Sequence, residues 1–435
     1  MPVPPEKFTP SSIPFVMCGM GLALVLLMSP ANLEAWGIVH LRDSGGSPLS
    51  KILPGVYFIF IAFAVFLCMG SPIQRMLILI RLFPASCFMF FINMTCLVFM
   101  ILRSGPSGTS MMLNSHLPVP LCALLLQCAP PRFCRTVLMG FTIFVLVNST
   151  MGLIEGVLKW RFFSYSADWP VLNEAEFRAS AFAGHPLANA ILTCTGIPVV
   201  LTQRFSITLR ILFAMLLLSS LVAFGGRTGL ALGVLNTTIL AIYGIFRIRH
   251  SLNFLRLLLL FLGILVVPAF LASGLYFLLN SSLGARLASH SYELEDDSAQ
   301  NRYYSFRVLS IMDDAELIFG VSQARAEQLI EQLGTHYPVF DLENPWLLLF
   351  VYLGGLMFTF WLIATILFIL SLSRHLSFPY LLSLGSFLWA ASLYDSFGRV
   401  DVGYLITIAV MVVSLKAKRA DNERANEGNG KSVDA

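Results

Sequence analysis

Apolar runs separated by short polar segments recur along almost the whole chain. Most are long enough to cross a lipid bilayer as a helix, which takes about 20 residues, and the pattern predicts about 12 such spans. They lie near 13–30, 53–70, 84–102, 111–128, 136–157, 187–203, 207–224, 228–246, 254–279, 345–371, 376–394 and 400–415. Pro118 and Pro120 interrupt the fourth span. The predicted fold is therefore all-α and polytopic.

The composition agrees with a chain embedded in a membrane. Of the 435 residues, 57% are hydrophobic and only 12% are charged, which is about half the charged fraction of a soluble protein. The net charge of +4 comes from dispersed residues, which argues against nucleic acid as a partner. The eight cysteines lie in or beside apolar segments without metal-ligand spacing. We interpret them as small core residues, neither disulfides nor ligands.

Basic residues are concentrated in alternate short loops, and the positive-inside rule places those loops in the cytoplasm. The residues are Arg75, Arg81, Arg132, Arg135, Arg204, Arg210, Arg247, Arg249, Arg256, Arg374, Lys416, Lys418 and Arg419. Both termini are then cytoplasmic. The first apolar run is expected to stay uncleaved, because Ser29-Pro30-Ala31 is a poor cleavage site.

The predicted domains follow from the spans and from two long loops on the opposite, outer side. They are a bundle of nine spans over 1–279 with an outer loop at 158–186, an outer loop domain at 280–344, three spans over 345–415, and a disordered tail at 416–435. The outer loop domain is predicted to hold two amphipathic helices. One covers 302–318, and the other starts after Ser322 and stops at Gly334.

Arg178, His185 and Asn189 lie where the first outer loop meets a predicted span. Polar groups at such a boundary are often functional. The alternative is that Gly184 and Pro186 merely end one element and start the next, with His185 as a cap of the new helix.

A second candidate is Arg227, in the sequence Gly225-Gly226-Arg227-Thr228-Gly229 between spans seven and eight. A two-glycine turn leaves Arg227 on the outer face, where its guanidinium can bind a phosphate with two parallel hydrogen bonds. The alternative is an arginine that only reaches from a helix start to the membrane surface.

The outer loop domain holds the remaining candidates. On one helix Arg302 and Arg307 would point about 140° apart, so at most one would face a common site. His336 and Glu343 could each act as a general base. Glu343, which precedes Asn344, could equally cap the following helix.

The chain lacks the glycine-rich signatures of nucleotide-binding loops. It also lacks the Asp-x-Asp motif that would suggest a metal-dependent transferase using nucleotide sugars. Arginines at the outer membrane surface suit an anionic lipid head group instead.

These segments resemble the O-antigen ligase and Wzy-type polysaccharide polymerase superfamily. The first match is Arg178 with Gly184-His185-Pro186 and Asn189, which is similar to the family's arginine followed by a histidine-proline-asparagine element. The second match is Gly226-Arg227-Thr228-Gly229, which is similar to the family's serine/glycine-arginine turn. The outer loop with Arg302 and Gly320, followed by Glu343-Asn344 and Leu353-Gly354-Gly355, resembles the third element.

The chain departs from the family pattern at two places. Asn189 follows His185 by four residues where two are common, and Glu343-Asn344 stands where many members have histidine-asparagine. Because of the second departure, the sequence does not decide whether His336 or Glu343 is the general base.

The resemblance implies a glycosyltransferase-C-like fold in the bacterial inner membrane and no metal or other cofactor. Arg178, Arg227 and Arg302 would bind the diphosphate of an undecaprenyl-diphosphate-linked oligosaccharide. His336 or Glu343 would be the base, and His185 would orient Arg178 or the acceptor. Asn189, Asn344 and Arg307 would be secondary substrate contacts.

The resemblance is strongest to exopolysaccharide (xanthan-type) polymerases, which elongate a lipid-linked glycan on the periplasmic side with a flippase and a chain-length regulator as partners. One alternative is an O-antigen ligase that uses the same donor with another acceptor. Another is a non-catalytic flippase or transporter. A transporter would place charged residues inside its helices near the midplane, where this chain has almost none.

Overall fold

The computed structural model describes residues 12–38, 51–105, 109–163, 177–247, 301, 303–337, 339, 342, 344–393 and 403–430. All regular secondary structure within these ranges is helical. The helices whose bounds fall within these ranges are α1 Ile13–Leu27, α2 Pro30–Ala35, α3 Pro54–Cys68, α4 Pro72–Leu82, α5 Pro84–Ser104, a π-helical turn Met112–His116, α6 Pro118–Cys128, α7 Pro131–Leu158, α8 Pro186–Leu201, α9 Ile207–Phe224, α10 Arg227–Arg247, α11 Val308–Ile311, α12 Asp314–Phe319, α13 Gln323–Gly334, α14 Pro345–Ser373, α15 Phe378–Leu393 and α16 Gly403–Gly430.

Each predicted span within the described ranges coincides with a helix, and the span at 254–279 lies outside them. Four described helices are long and apolar enough to cross a membrane, namely α5, α7, α9 and α14. The pair α3 and α4, bent by 107°, adds a fifth if it is one broken span. The all-α, membrane-capable character predicted from the sequence is therefore confirmed, and the number of spans stays a prediction.

The chain divides into two compact units. The first consists of Met1–Phe141, Asp297–Ser377 and Ala391–Ala435. Within it α1 lies along α3, α5 along α14, and α6 along α16. Gly21 and Gly55 bring the first pair together: a Cβ built on Gly21 would lie 2.6 Å from the Gly55 carbonyl oxygen. Small residues at such contacts let backbones approach closely, as is common in membrane helix pairs.

The second unit consists of Thr142–Asp296 and Phe378–Ala390. Helix α8 packs against both α9 and α10. It is buried along almost its whole length, so its polar groups must find partners inside the protein. Asn236 on α10 illustrates this, since its Nδ2 donates to the Cys194 carbonyl at 2.9 Å and its Oδ1 accepts from Ser386 at 2.9 Å.

The outer loop domain differs in part from its prediction. The single helix expected over 302–318 is wrong, because α11 ends at Ile311 and α12 begins at Asp314. Asp313 caps α12 by accepting the Glu316 N–H at 2.7 Å, while Glu316 accepts the Asp313 N–H at 3.1 Å. This reciprocal capping box favours a new helix start over continuation of the preceding one.

The second predicted helix of this domain is confirmed as α13. The Ser322 hydroxyl accepts the Arg325 N–H at 3.3 Å as the N-cap, and Leu329 and Leu333 are both buried on the face turned to the core. Arg325 also donates to Glu316 at 2.7 Å, and this hydrogen bond holds the pKa of the Glu316 carboxyl below its ordinary value.

The last helix, α16, extends to Gly430. It therefore continues into the segment at 416–435 that the composition predicts to be disordered. Its first half is buried from Tyr404 to Ser414, which provides a folded base from which the helix can extend.

Candidate functional site

The segment Phe177–His185 leads directly into α8 and carries two of the predicted site residues. His185 is the N-cap of α8, and its Nδ1 accepts the Leu187 N–H at 3.2 Å. Gly184 adopts φ +66°, a conformation that glycine takes without steric cost, and Pro186 is the first helical residue. His185 therefore caps α8, and its role in orienting Arg178 or the acceptor stays a prediction. Because Nδ1 accepts, a neutral ring carries its hydrogen on Nε2.

A buried carboxylate accepts backbone hydrogen bonds from the Phe177–His185 segment. Glu155, on α7, is completely buried. Its Oε2 accepts the N–H groups of Ser180 at 2.7 Å and Ala181 at 2.9 Å, and its Oε1 accepts that of Phe162 at 2.9 Å. Three charge-assisted hydrogen bonds compensate for the burial of the charge.

A pair of buried asparagines provides a second attachment for the same segment. Asn189 donates from Nδ2 to the carbonyls of Ser180 and of His185, the latter at 3.1 Å. Its Oδ1 accepts from Asn148 of α7 at 2.8 Å, and Asn148 in turn accepts the Phe182 N–H at 3.0 Å. This geometry makes Asn189 part of the support of the loop. Its direct contact with substrate stays a prediction.

Arg178 lies against the end of α9. The neighbouring Ala179 N–H donates to the Ala223 carbonyl at 3.1 Å. A Cβ built on Gly225 would lie 3.3 Å from Arg178 Cγ. Arg161 donates from Nε to the Arg178 carbonyl at 3.2 Å. The segment that carries Arg178 is therefore packed against the turn that carries Arg227.

That turn has the two-glycine form predicted from the sequence. Gly225 ends α9 with φ +66° in the left-handed region, which is the usual place of glycine after a helix. Arg227 is the first residue of α10 and is exposed. Gly229 permits close contact between α10 and α8, since a Cβ there would lie 2.9 Å from the Ala190 Cβ. Packing thus fixes the helix start that presents Arg227.

The candidates of the outer loop domain belong to the first unit. His336 is exposed in the turn after α13. Arg307 is also exposed, and its Cζ lies 5.9 Å from the centre of the Tyr337 ring. Asn344 caps α14, because its Oδ1 accepts the N–H groups of the second and third helical residues at 3.0 and 3.1 Å. Arg302 and Glu343 lie outside the described residues, and their roles stay predictions.

Two glycines of the third family-like element meet at a backbone crossing. Gly320, after α12, has φ +77°, and Gly354, inside α14, has φ +69°. A Cβ built on Gly320 would lie 2.5 Å from the Gly354 nitrogen, and one on Gly354 would lie 2.5 Å from the Ile318 carbonyl oxygen. The Val321 N–H donates to the Val351 carbonyl at 2.8 Å across the same contact. These glycines therefore have a packing role.

The residues that the sequence pattern did not single out are Glu155 and Asn148. Glu155 is an acidic residue within the predicted span at 136–157. That signal could have identified it, because an ionisable residue inside an apolar span is expensive and is usually functional. Asn148 offers no such charge signal, and only its contacts with Asn189 and Phe182 identify it.

Within the ranges that the structure describes, no three His, Cys, Asp or Glu side chains converge as a metal-binding group. No protein-family model and no curated protein sequence matches this chain.

Proposed function

We propose that this chain is a membrane-embedded polysaccharide polymerase. It transfers a growing glycan from undecaprenyl diphosphate to a lipid-linked repeat unit on the periplasmic side of the inner membrane, in exopolysaccharide biosynthesis. The proposal rests on the family resemblance of the sequence and on the geometry of the second unit. The proposal also includes the membrane topology predicted from the sequence, with about 12 spans and both termini in the cytoplasm.

The observation that carries the proposal is the packing of the Arg178 segment against the Gly225–Arg227 turn. The Ala179–Ala223 hydrogen bond at 3.1 Å joins the two segments, and glycine at 225 leaves room for the Arg178 side chain. Two guanidinium-bearing segments fixed in this way suit a ligand with two phosphate groups, because arginine donates hydrogen bonds in pairs that match phosphate oxygens.

The chemistry proposed for this site is a glycosyl transfer. The acceptor hydroxyl attacks the anomeric carbon, the bond from that carbon to the diphosphate oxygen breaks, and the proton of the hydroxyl goes to His336 or Glu343. Negative charge develops on the leaving diphosphate in the transition state. Guanidinium groups at Arg178 and Arg227, and at Arg302 by the family resemblance, would therefore stabilise the transition state more than the ground state.

The purified protein should elongate a lipid-diphosphate-linked oligosaccharide in the presence of a strong chelator and without ATP. This expectation follows from the lack of nucleotide-loop and Asp-x-Asp motifs in the sequence. Product length on a gel is the measurement. Activity that is lost in chelator and restored by a divalent cation would overturn the metal-independent mechanism. Transfer to an acceptor other than the repeat unit, without chain growth, would indicate the ligase.

Reporter fusions test the proposed orientation. Fusions at Arg132 and Arg249 should report the cytoplasm, because these arginines lie in the alternate short loops that the positive-inside rule assigns to that side. Fusions at Trp169 and Asn301 should report the periplasm. A cytoplasmic signal at Asn301 would contradict the proposed periplasmic reaction.

A further inference from the structure

Glu155 is a charged residue in a helix that is otherwise apolar enough to cross a membrane. A buried carboxylate is strongly unfavourable unless partners compensate for its lost hydration. Here both carboxylate oxygens of Glu155 accept backbone N–H groups of described residues, and all three of these groups belong to loop residues that follow α7 or precede α8. The carboxylate therefore serves to hold backbone in place.

The backbone that it holds is strained. Ala181 has φ +38°, which is uncommon for a residue with a side chain. The consecutive N–H groups of Ser180 and Ala181 converge on one carboxylate oxygen, an arrangement that favours an anion. Strained conformations persist where surrounding contacts fix them, and they concentrate at functional sites.

Ser180 is two residues from Arg178, and the intervening Ala179 is fixed by its hydrogen bond to Ala223. On the other side, the Ser180 carbonyl accepts from Asn189. The backbone at 179–181 is therefore held by α7, α8 and α9 at once. This arrangement leaves the Arg178 backbone little freedom relative to the turn that carries Arg227.

We propose that Glu155 is a positioning residue that holds the Phe177–His185 segment so that Arg178 acts with Arg227 on a diphosphate. This inference rests on the proposed function. It explains the geometry of the site: the Glu155 carboxylate fixes the Phe177–His185 loop before the diphosphate of the substrate binds. Such preorganisation reduces the entropy lost on binding.

The test compares two substitutions of similar volume in the full-length protein. Glu155→Gln keeps one oxygen that can accept the Ser180 and Ala181 N–H groups, but it loses the charge and the bond to Phe162. Glu155→Leu loses all three acceptors. The probe is farnesyl diphosphate, a short prenyl diphosphate, and the measurement is its dissociation constant. We expect Glu155→Gln to weaken binding roughly tenfold and Glu155→Leu roughly a hundredfold.

Two further readouts separate positioning from a general structural effect. Amide hydrogen exchange over residues 177–189 should speed up in both variants, more in Glu155→Leu. Binding by Glu155→Gln combined with Arg178→Lys should be little weaker than by Arg178→Lys alone, because a loop without its guanidinium has nothing left to position. Glu316→Gln is the matched control, since Glu316 also accepts a backbone N–H. It should change neither readout.

The outcomes distinguish this inference from the proposed function. If the unaltered protein does not bind farnesyl diphosphate, the proposed function is overturned, and this inference with it. If it binds and Arg178→Lys weakens binding while Glu155→Gln does not, only the positioning role is overturned. The positioning role would also be overturned if the loss of affinity in the double variant equalled the product of the losses in Glu155→Gln and Arg178→Lys. Should Glu155→Leu fail to accumulate in the membrane, Glu155→Gln alone decides.

Discussion

Arg227→Lys should abolish most polymer formation while the variant still accumulates and inserts normally. Arg227 is exposed at the first position of α10, and glycines at 225 and 229 fix the turn and the helix start around it. Lysine keeps the positive charge and the reach to the membrane surface, but it does not reproduce the planar, paired donors of a guanidinium. Losing such a contact to a developing charge costs about 2–4 kcal/mol, or roughly a hundred- to thousand-fold in rate.

The measurement is polymer length and amount from cells that lack the native gene, with the protein level determined alongside. Arg132→Lys is the matched control, because Arg132 is an exposed arginine that lies near the start of α7 in a predicted cytoplasmic loop. It should leave the polymer unchanged. Arg307→Lys should have only a mild effect. Normal chain length from Arg227→Lys would show that Arg227 merely reaches the membrane surface and does not hold the leaving group.

The second large effect is expected on stability. Gly354→Ala should lower the free energy of unfolding by about 2–5 kcal/mol, because alanine at φ +69° is strained and its Cβ would meet backbone atoms that cannot move aside. In a thermal melt of the detergent-solubilised protein, the midpoint should fall by roughly 5–10 °C. The same reasoning applies to Gly320, on the other side of the crossing.

Gly140→Ala provides the control for this prediction. Gly140 lies within helix α7, and a Cβ there would meet nothing within 4 Å. Alanine should therefore be neutral or stabilise the protein by up to about 1 kcal/mol. An unchanged melting midpoint in Gly354→Ala would contradict the close crossing of the α12 end and α14.

The apolar runs were sufficient to predict where most of the described helices lie, although α4 occupies a segment that was predicted to be a short loop. The predicted span at 207–224 and helix α9 have the same bounds, and those at 187–203 and 228–246 differ from α8 and α10 by one or two residues. Local signals also placed the turn at Gly225 and the cap of α13 at Ser322. These features depend on residues close in sequence, so the sequence carries the necessary information.

Local signals failed where two of them competed. The apolar pattern over 302–318 favours one helix, but the capping box of Asp313 and Glu316 starts a new helix inside it. The angle predicted between Arg302 and Arg307 depended on that single helix, and Arg302 lies outside the described residues. The disordered tail was predicted from composition alone, whereas the helix continues to Gly430 from a buried first half.

By itself the sequence determined the all-helical, membrane-capable class and the candidate arginines, because hydrophobicity and residue type are properties of single positions and their spacing. Only the tertiary structure decided what holds Arg178 in place. The contacts from Glu155 to Ser180 and from Ala179 to Ala223 join residues that are 25 and 44 positions apart. No local pattern specifies such pairs, since they form only when α7, α8 and α9 pack together and buried polar groups must find partners there.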